Sequence, residues 1–303
     1  MTTPLNSVSP PSSPLPPPKR LRAGRLYERG KRRKRNMINY RNILLIFLVL
    51  LALIGNVNAN DELKPKIKLQ IGEELIYKVK YTFLTLGSLK FQILGKDTID
   101  DRPVYHCILY MDSNPSLPFV NIHDIYESYI DEDIYSRRFV AWENKSDYTI
   151  YTRYDMNYEE QNVHITMKKM TKTDTTVALD SIAALDTPRK IQDGLSILFY
   201  ARAMVKHKKM MSAPVFAYNA LKYTFINFTG KQKKVEVQDT KYKAYYLDGY
   251  LKFVGIAGVK EGFKGWFSPD MQSVPLQAHM EAFIGHVTLQ LESHKNWELA
   301  KSD

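Results

Sequence analysis

Residues 187–202 read Thr187-Pro188-Arg189-Lys190-Ile191-Gln192-Asp193-Gly194-Leu195-Ser196-Ile197-Leu198-Phe199-Tyr200-Ala201-Arg202. Within them Ile191, Leu195 and Leu198 are spaced four and three residues apart, so they form one stripe on a helix. Thr187 can cap this helix, and Pro188 is tolerated at its first position, where a missing N–H does no harm. The pattern predicts one substantial helix over about 188–205. It should be largely buried, because further apolar residues widen the stripe: Ile197, Tyr200 and Met204.

Arg202 lies on the apolar side of this predicted helix. At about 100° per residue it falls within about 20° of Leu195, whereas Asp193 falls about 180° away and cannot pair with it. A buried guanidinium needs a partner, so the partner must come from outside the helix. Two interpretations stay open. Either a carboxylate or carbonyl group on a neighbouring strand holds Arg202, or Arg202 faces a cavity and binds the carboxylate or phosphate of a ligand.

The chain after residue 60 otherwise alternates like β-structure. Leu75, Tyr77 and Val79 share one face of a predicted strand, and lysines share the other face. Further candidate strands lie at about 123–130, 136–143, 147–156 and 162–170. Thr229-Gly230 and Asp248-Gly249 have the composition of hairpin turns. The sequence therefore predicts a single mainly-β domain over 60–303, with about a dozen antiparallel strands in a barrel-like or strongly curved sheet.

The first 59 residues have the composition of a leader. Residues 1–36 are Pro/Ser-rich and basic, which predicts disorder; Met37 would itself make a normal start, which would make residues 1–36 an over-long start. Residues 37–59 combine a short basic region, twelve consecutive apolar residues and small residues before a cleavage point, the pattern of a secretory signal peptide. An uncleaved signal anchor is the alternative, but twelve residues are fewer than the roughly 20 that span a bilayer. We expect a mature chain that begins at Asn60 and is exported to the periplasm or cell envelope, with membrane contact only through an uncleaved signal peptide.

The charge of the chain is concentrated in this leader. The net charge is +11, and residues 1–59 contain eleven Lys/Arg and one acidic residue, which leaves about +1 for the body. The body therefore lacks the basic surface that nucleic-acid binding requires. Cys107 is the one cysteine, so no internal disulfide can form, and its alternating context predicts a buried structural thiol.

Three short motifs carry a resemblance to a known family: Gly72-Glu73-x-Leu75-x-Tyr77, Gln192-Asp193-Gly194-Leu195-Ser196 with Tyr200-x-Arg202, and Lys264-Gly265-Trp266-Phe267-Ser268-Pro269-Asp270 with Val274-Pro275. Together they resemble an uncharacterised family of exported bacterial proteins, the domain of unknown function 3108, over about residues 65–292. The resemblance implies a β-rich envelope protein with no established activity, and it supplies no catalytic residues. Gly194 departs from what a helix favours, so the start of the helix is less well defined.

Candidate catalytic and metal-binding residues are few. His279, His286 and Glu281 flank a predicted hairpin and could ligate a metal, but solvent-facing hairpin residues are the simpler interpretation. His123-Asp124 could be half of an acid–base pair, yet the sequence contains no nucleophile elbow, zinc-protease motif or phosphate-binding loop to complete a site. We assign no catalytic residue, no metal ligand and no cofactor.

The twenty tyrosines suit either an amphipathic interior or strand edges with hydroxyl groups in water. We predict a non-enzymatic exported protein that binds a lipidic or amphipathic ligand, or a partner in envelope assembly. Arg202, Tyr200 and Trp266 are the predicted ligand-binding residues. The alternatives are a hydrolase with a site of dispersed Asp and His residues, and a purely structural interaction module.

Overall fold

A computed structural model describes residues 67–117, 121–251, 262–281 and 285–298. The predicted leader, signal peptide and cleavage point lie outside these residues. Within these ranges, no helix is long and apolar enough to cross a membrane.

Fourteen antiparallel strands form one sheet, accompanied by one α-helix in the described residues. The strands are β1 Glu74–Tyr81, β2 Leu84–Ile99, β3 Arg102–Ser113, β4 His123–Asp131, β5 Ser136–Asn144, β6 Thr149–Asn157, β7 Asn162–Met170, β8 Thr175–Ala184, β9 Lys208–Ala217, β10 Ala220–Val237, β11 Thr240–Leu251, β12 Gly262–Phe267, β13 Pro275–Glu281 and β14 His286–Lys295. The helix, α1, spans Ser196–Met204. The predicted mainly-β fold with one helix is confirmed.

The sheet is a meander in two halves joined by the first and last strands. Its spatial order is β8-β7-β6-β5-β4-β3-β2-β1-β14-β13-β12-β11-β10-β9. β14 returns beside β1, with Glu74 opposite Lys295 and Tyr81 opposite Val287. The described ladder thus ends at β8 on one side and at β9 on the other, so the sheet curls without closing.

The helix lies in the hydrophobic core rather than on the outside of the sheet. Leu195, Phe199 and Met204 are buried, and they belong to one cluster with inward-facing strand residues such as Leu75 and Phe228. The alternation of each strand places one side chain in two toward this cluster. The single predicted helix therefore fills the inside of the curled sheet.

The predicted helix start at about residue 188 is wrong, and so is Thr187 as its cap. Both Leu195 and Ser196 donate their backbone N–H to Asp193 Oδ1 at 2.7 Å, and the N–H of Asp193 donates to Ser196 Oγ at 2.8 Å. This reciprocal arrangement resembles a capping box and satisfies backbone N–H groups just before the helix. The preceding residues are extended, because Gln192 N–H donates to Pro214 O and Gln192 O accepts from Phe216 N–H, at 2.9 and 2.8 Å. Hydrogen bonds to β9 outweigh the local preference for a helix.

Both hairpin turns predicted at Gly-containing pairs are also wrong. Gly230 adopts φ +61° inside β10, next to a register shift, and Gly249 lies inside β11. A Cβ at Gly249 would come within 2.2 Å of the carbonyl oxygen of Phe225, so glycine serves close strand approach there. The turn itself is at Gln238 and Asp239, which both have positive φ and connect Val237 to Thr240. Local composition therefore indicated that both glycines have special conformational roles, but it wrongly predicted turns where they lie inside strands.

Candidate functional site

The C-terminal end of α1 is held by a buried ion pair. Arg202 and Glu73 are 1% and 2% exposed. The two Nη atoms of Arg202 donate to the two carboxylate oxygens of Glu73 at 2.7 and 2.8 Å, and Nε donates to Gln272 O at 3.0 Å. A planar guanidinium that meets a carboxylate through two bonds is a strong, directional contact. The carboxylate partner that Arg202 requires is therefore Glu73, which directly precedes β1.

Two further polar side chains surround this pair. Tyr77 donates its hydroxyl to Pro275 O at 2.8 Å, and Cys107 is a fully buried free thiol. Burial raises the pKa of both groups, so both stay neutral. Burial alone would lower the pKa of Arg202, but the charge and hydrogen bonds of Glu73 raise it overall. The cluster is one stable ion pair among neutral groups.

The N-terminal end of α1 is held by Asp193, which is fully buried. Its Oδ2 accepts hydrogen bonds from Ser128 Oγ at 2.6 Å and Ser136 Oγ at 2.5 Å, while Oδ1 caps the helix. Burial raises the pKa of Asp193, and the hydrogen bonds from the serines and the backbone partly counteract that rise. Asp193 thus ties the helix to β4 and β5, as Arg202 ties it to the strand that begins after Glu73.

The three predicted ligand-binding residues lie in different surroundings. Arg202 is engaged with Glu73, as described. Tyr200 is buried, and its hydroxyl donates to the sulfur of Met211 on β9 at 3.3 Å. Trp266 lies on β12, where its ring is 5.4 Å from the ring of Tyr246. Tyr200 and Arg202 share a helix, and Trp266 packs among β11 to β13. Their role in binding a ligand stays a prediction.

The histidines considered for metal binding form a stacked pair. The rings of His279 and His286 are 4.2 Å apart, and Glu281 lies directly opposite His286 in the ladder. The pKa of His279 is lowered to about 4, first by burial and then by the positive charges of His286 and Lys264. Across the residues that the structure describes, no group of three or more His, Cys, Asp or Glu side chains is arranged to hold a metal ion.

The other histidine candidate does not form an acid–base unit with its neighbour. His123 Nδ1 is 2.9 Å from Asp112 Oδ1 on the adjacent strand. Asp124 is buried and accepts hydrogen bonds from Asn144 N–H at 2.8 Å and from the Tyr126 hydroxyl at 3.3 Å. The two side chains therefore engage different partners, and each contact fits a structural role.

One region that the sequence analysis missed is the break in the ladder between β8 and β9, which we call the seam. Met167 and Leu179 border it from β7 and β8, and Met211 borders it from β9; all three are partly buried and pack against the core. Asn219, in the β9–β10 turn, reaches β7, where its Nδ2 is 3.3 Å from the sulfur of Met167. Alternation predicts that such residues face inward. It does not reveal that β8 and β9 are the edge strands of the sheet.

Comparison with known proteins places this fold in a family. The family model described as a protein of unknown function, DUF3108, matches residues 76–292. The chain belongs to the DUF3108 family. The resemblance noted in the sequence is thereby confirmed. A search of curated proteins finds no match to this DUF3108 protein.

The DUF3108 chain is also similar to a solved structure, the beta-barrel-like protein of domain of unknown function DUF1849 from Brucella abortus. The sequence identity is 9%, the match covers 77% of this chain and 100% of that chain, and the TM-score is 0.50. At this identity the likeness shows the fold alone.

The motifs that carry the family resemblance meet at the two ends of α1. Glu73 of the first motif pairs with Arg202 of the second, and Asp193 of the second caps the helix. The third motif ends in a loop where the Asp270 carboxylate accepts N–H bonds from Gln272 and Ser273, and the carbonyl of Gln272 accepts from Arg202. In this DUF3108 protein, these motif residues therefore build the support of the helix.

Proposed function

We propose that the protein is an exported, non-enzymatic protein of the cell envelope that binds an amphipathic ligand at the seam. The observation that carries this proposal is the apolar border of the seam, where Met167, Leu179 and Met211 are only partly buried. Methionine is flexible and polarizable, so it adapts well to an apolar ligand of variable shape. The proposed export depends on the signal-peptide pattern of residues 37–59.

Binding is favoured over catalysis because the buried charged groups are already engaged in ion pairs and hydrogen bonds that hold α1. Arg202 and Glu73 form an ion pair with each other. The Asp193 carboxylate accepts four hydrogen bonds that cap and anchor α1. A catalytic acid or base must instead reach a substrate. The interior polar groups thus support a rigid scaffold, and this leaves the partly buried apolar side chains at the seam as the candidates for contact with a ligand.

The β9 side of the seam favours a ligand with an anionic head group. β9 begins with the exposed residues Lys208 and Lys209, and Arg189 Nη1 donates to Ser212 O on the same strand at 3.0 Å. These cations would attract a carboxylate or phosphate, while the apolar border would take the hydrocarbon part. A fatty acid and a phospholipid share this chemistry.

A matched pair of substitutions on β8 tests the proposal. Leu179 lies opposite Met167 and packs against the core, whereas Val177, two residues away, is 62% exposed and lies opposite Lys168. We expect the exported protein, purified without detergent, to carry an amphiphile detectable by mass spectrometry. Leu179→Lys should lose it, and Val177→Lys should retain it with an unchanged melting midpoint. Intact mass of the same material should show a chain that begins at Asn60.

Two results would contradict this proposal. One is a wild-type protein that carries no amphiphile after gentle purification from the cell envelope. The other is a folded Leu179→Lys protein that carries as much amphiphile as Val177→Lys. If export itself fails, the protein will instead be recovered with its residues 37–59 from the cytoplasmic fraction.

A second candidate function, binding a partner in envelope assembly, is favoured by the exposure of β8 itself. Val177 and Ile182 are large apolar residues exposed on this edge strand. An exposed edge can accept an additional strand from another protein. Recovery of a protein in fixed proportion, rather than of a small molecule, in the same purification would favour this candidate.

A further inference from the structure

The antiparallel meander gives the molecule two ends with different turns. The turns β1–β2, β5–β6, β7–β8 and β9–β10 lie at one end, together with the end of β11. The turns β2–β3, β4–β5, β6–β7 and β10–β11 lie at the other end, together with the β12–β13 loop. We call the first the aromatic end and the second the acidic end, for the reasons that follow.

Among the residues that the structure describes, exposed aromatic side chains are found at the aromatic end. In the described part of the chain, three aromatic residues are exposed: Phe83, Tyr218 and Tyr250. Phe83 is in the β1–β2 turn and is 96% exposed, and the adjacent Leu84 is exposed as well. Tyr218 is in the β9–β10 turn, and Tyr250 is near the end of β11. A phenylalanine that projects fully into water gains nothing from the folded chain, so its position is unexplained by packing.

Several turns at the opposite end are acidic. Four of its turns contain seven acidic residues and no lysine or arginine; these turns are residues 100–101, 132–135, 158–161 and 238–239. Cations from neighbouring segments pair with three of these acids: Lys96 with Glu132, Arg102 with Glu159, and Lys190 with Asp133. Four turns of the aromatic end contain two acidic residues and two lysines; these turns are residues 82–83, 145–148, 171–174 and 218–219. The turns at the two ends therefore differ in charge, while Lys208 and Lys209 at the start of β9 add positive charge beside the acidic turns.

We propose that the aromatic end docks on the surface of a lipid bilayer. Phe83 and Leu84 insert among the acyl chains, and Tyr218 and Tyr250 lie at the level of the head groups. Tyrosine suits that level because its ring is apolar and its hydroxyl is polar. The acidic end points away from the bilayer, which an anionic membrane surface favours.

A bilayer fits this surface better than a protein partner does. The apolar side chains project from separate turns and strand ends rather than forming one packed patch, and the most exposed of them is the tip of a turn. Isolated apolar tips can enter a fluid phase independently, whereas a protein interface requires a contiguous complementary surface. This inference is independent of the proposed ligand at the seam.

Site-specific labelling tests the orientation. Phe83→Cys is labelled with an environment-sensitive fluorophore, and Met271→Cys is the matched control, because Met271 is an exposed apolar residue in the loop at the acidic end, 66% exposed. Cys107 is fully buried, so the label attaches at the introduced site. With vesicles of phosphatidylethanolamine and phosphatidylglycerol, we expect the label at position 83 to shift to the blue and to be quenched by lipid-attached quenchers. The label at position 271 should do neither.

Because each label reports only its own surroundings, the outcome does not depend on whether residues 37–59 remain on the chain. The proposal is overturned if the label at position 83 stays in water while the protein is bound to vesicles, if both labels enter lipid equally, or if the shift requires another protein instead of vesicles. Phe83→Ser should also reduce partitioning into vesicles by roughly ten- to a hundredfold, the effect of losing one buried phenyl ring. Met271→Ser should leave partitioning unchanged, and equal partitioning of both serine variants would likewise refute the proposal.

Discussion

Replacing Glu73 by glutamine should destabilise the protein strongly, because it leaves the charge of Arg202 buried without a counter-charge. The carboxylate accepts two charge-assisted bonds from the guanidinium, at 2.7 and 2.8 Å, and both residues are nearly inaccessible to water. Glutamine offers one acceptor oxygen and turns an N–H₂ donor toward the guanidinium in place of the other. Removing one member of a buried pair costs about 3–5 kcal/mol, and we expect Glu73→Gln to lie in that range.

The measurement is urea-induced unfolding of the wild type and of a double-mutant cycle with Arg202→Met. If the two residues stabilise the fold mainly through each other, the double variant should lose less than the sum of the two single losses, by roughly 1–3 kcal/mol. Glu292→Gln is the control, because Glu292 pairs with Lys78 on the same sheet and both side chains are about 40% exposed. An exposed pair contributes about 0–1 kcal/mol.

A Glu73→Gln protein that unfolds at the same urea concentration as Glu292→Gln would refute this reasoning. Additive losses in the cycle would show that the two side chains act independently. The same Arg202→Met protein also tests the predicted ligand role of Arg202. If it is destabilised yet still carries an amphiphile, Arg202 has no part in binding that amphiphile.

Two further predictions concern the core and the titration of the protein. Leu195→Ala should lower the free energy of unfolding by roughly 2–5 kcal/mol, because Leu195 is buried in the centre of the core; an unshifted urea midpoint would contradict the packing described for α1. The pKa of His279 is lowered to about 4 from 6.5, so the unfolded chain binds the proton more tightly. The stability that this neutral histidine contributes is complete above pH 6.5 and is lost as the pH falls toward about 4. His279→Gln should remove that part of the pH dependence of the melting midpoint, and a variant with the wild-type pH profile would show that the shift has another origin.

The general architecture follows from local patterns. The alternation of Leu75, Tyr77 and Val79 predicts an inward face, and the strands predicted at about 123–130, 136–143, 147–156 and 162–170 closely match β4 to β7. The burial of Leu195 and the need of Arg202 for a partner also follow from helical spacing. Such predictions succeed because period and polarity are properties of neighbouring residues in the chain.

The partners themselves are decided by tertiary structure. Glu73 lies 129 residues from Arg202, and Ser128 lies 65 residues from Asp193, so spacing in the chain carries no information about either contact. The helix begins at Ser196 because the Asp193 carboxylate accepts hydrogen bonds from Ser128 and Ser136 and the backbone of Gln192 bonds to β9. Both contacts exist only after the sheet has curled. The seam and the aromatic end are likewise products of strand order, which brings turns that are distant in the chain to the same end of the sheet. The sequence by itself determined the faces of the strands and the buried side of the helix, because those depend on local periodicity. Only the folded sheet decided which charges meet inside it and which aromatic side chains gather at one end, because those depend on contacts between segments far apart in the chain.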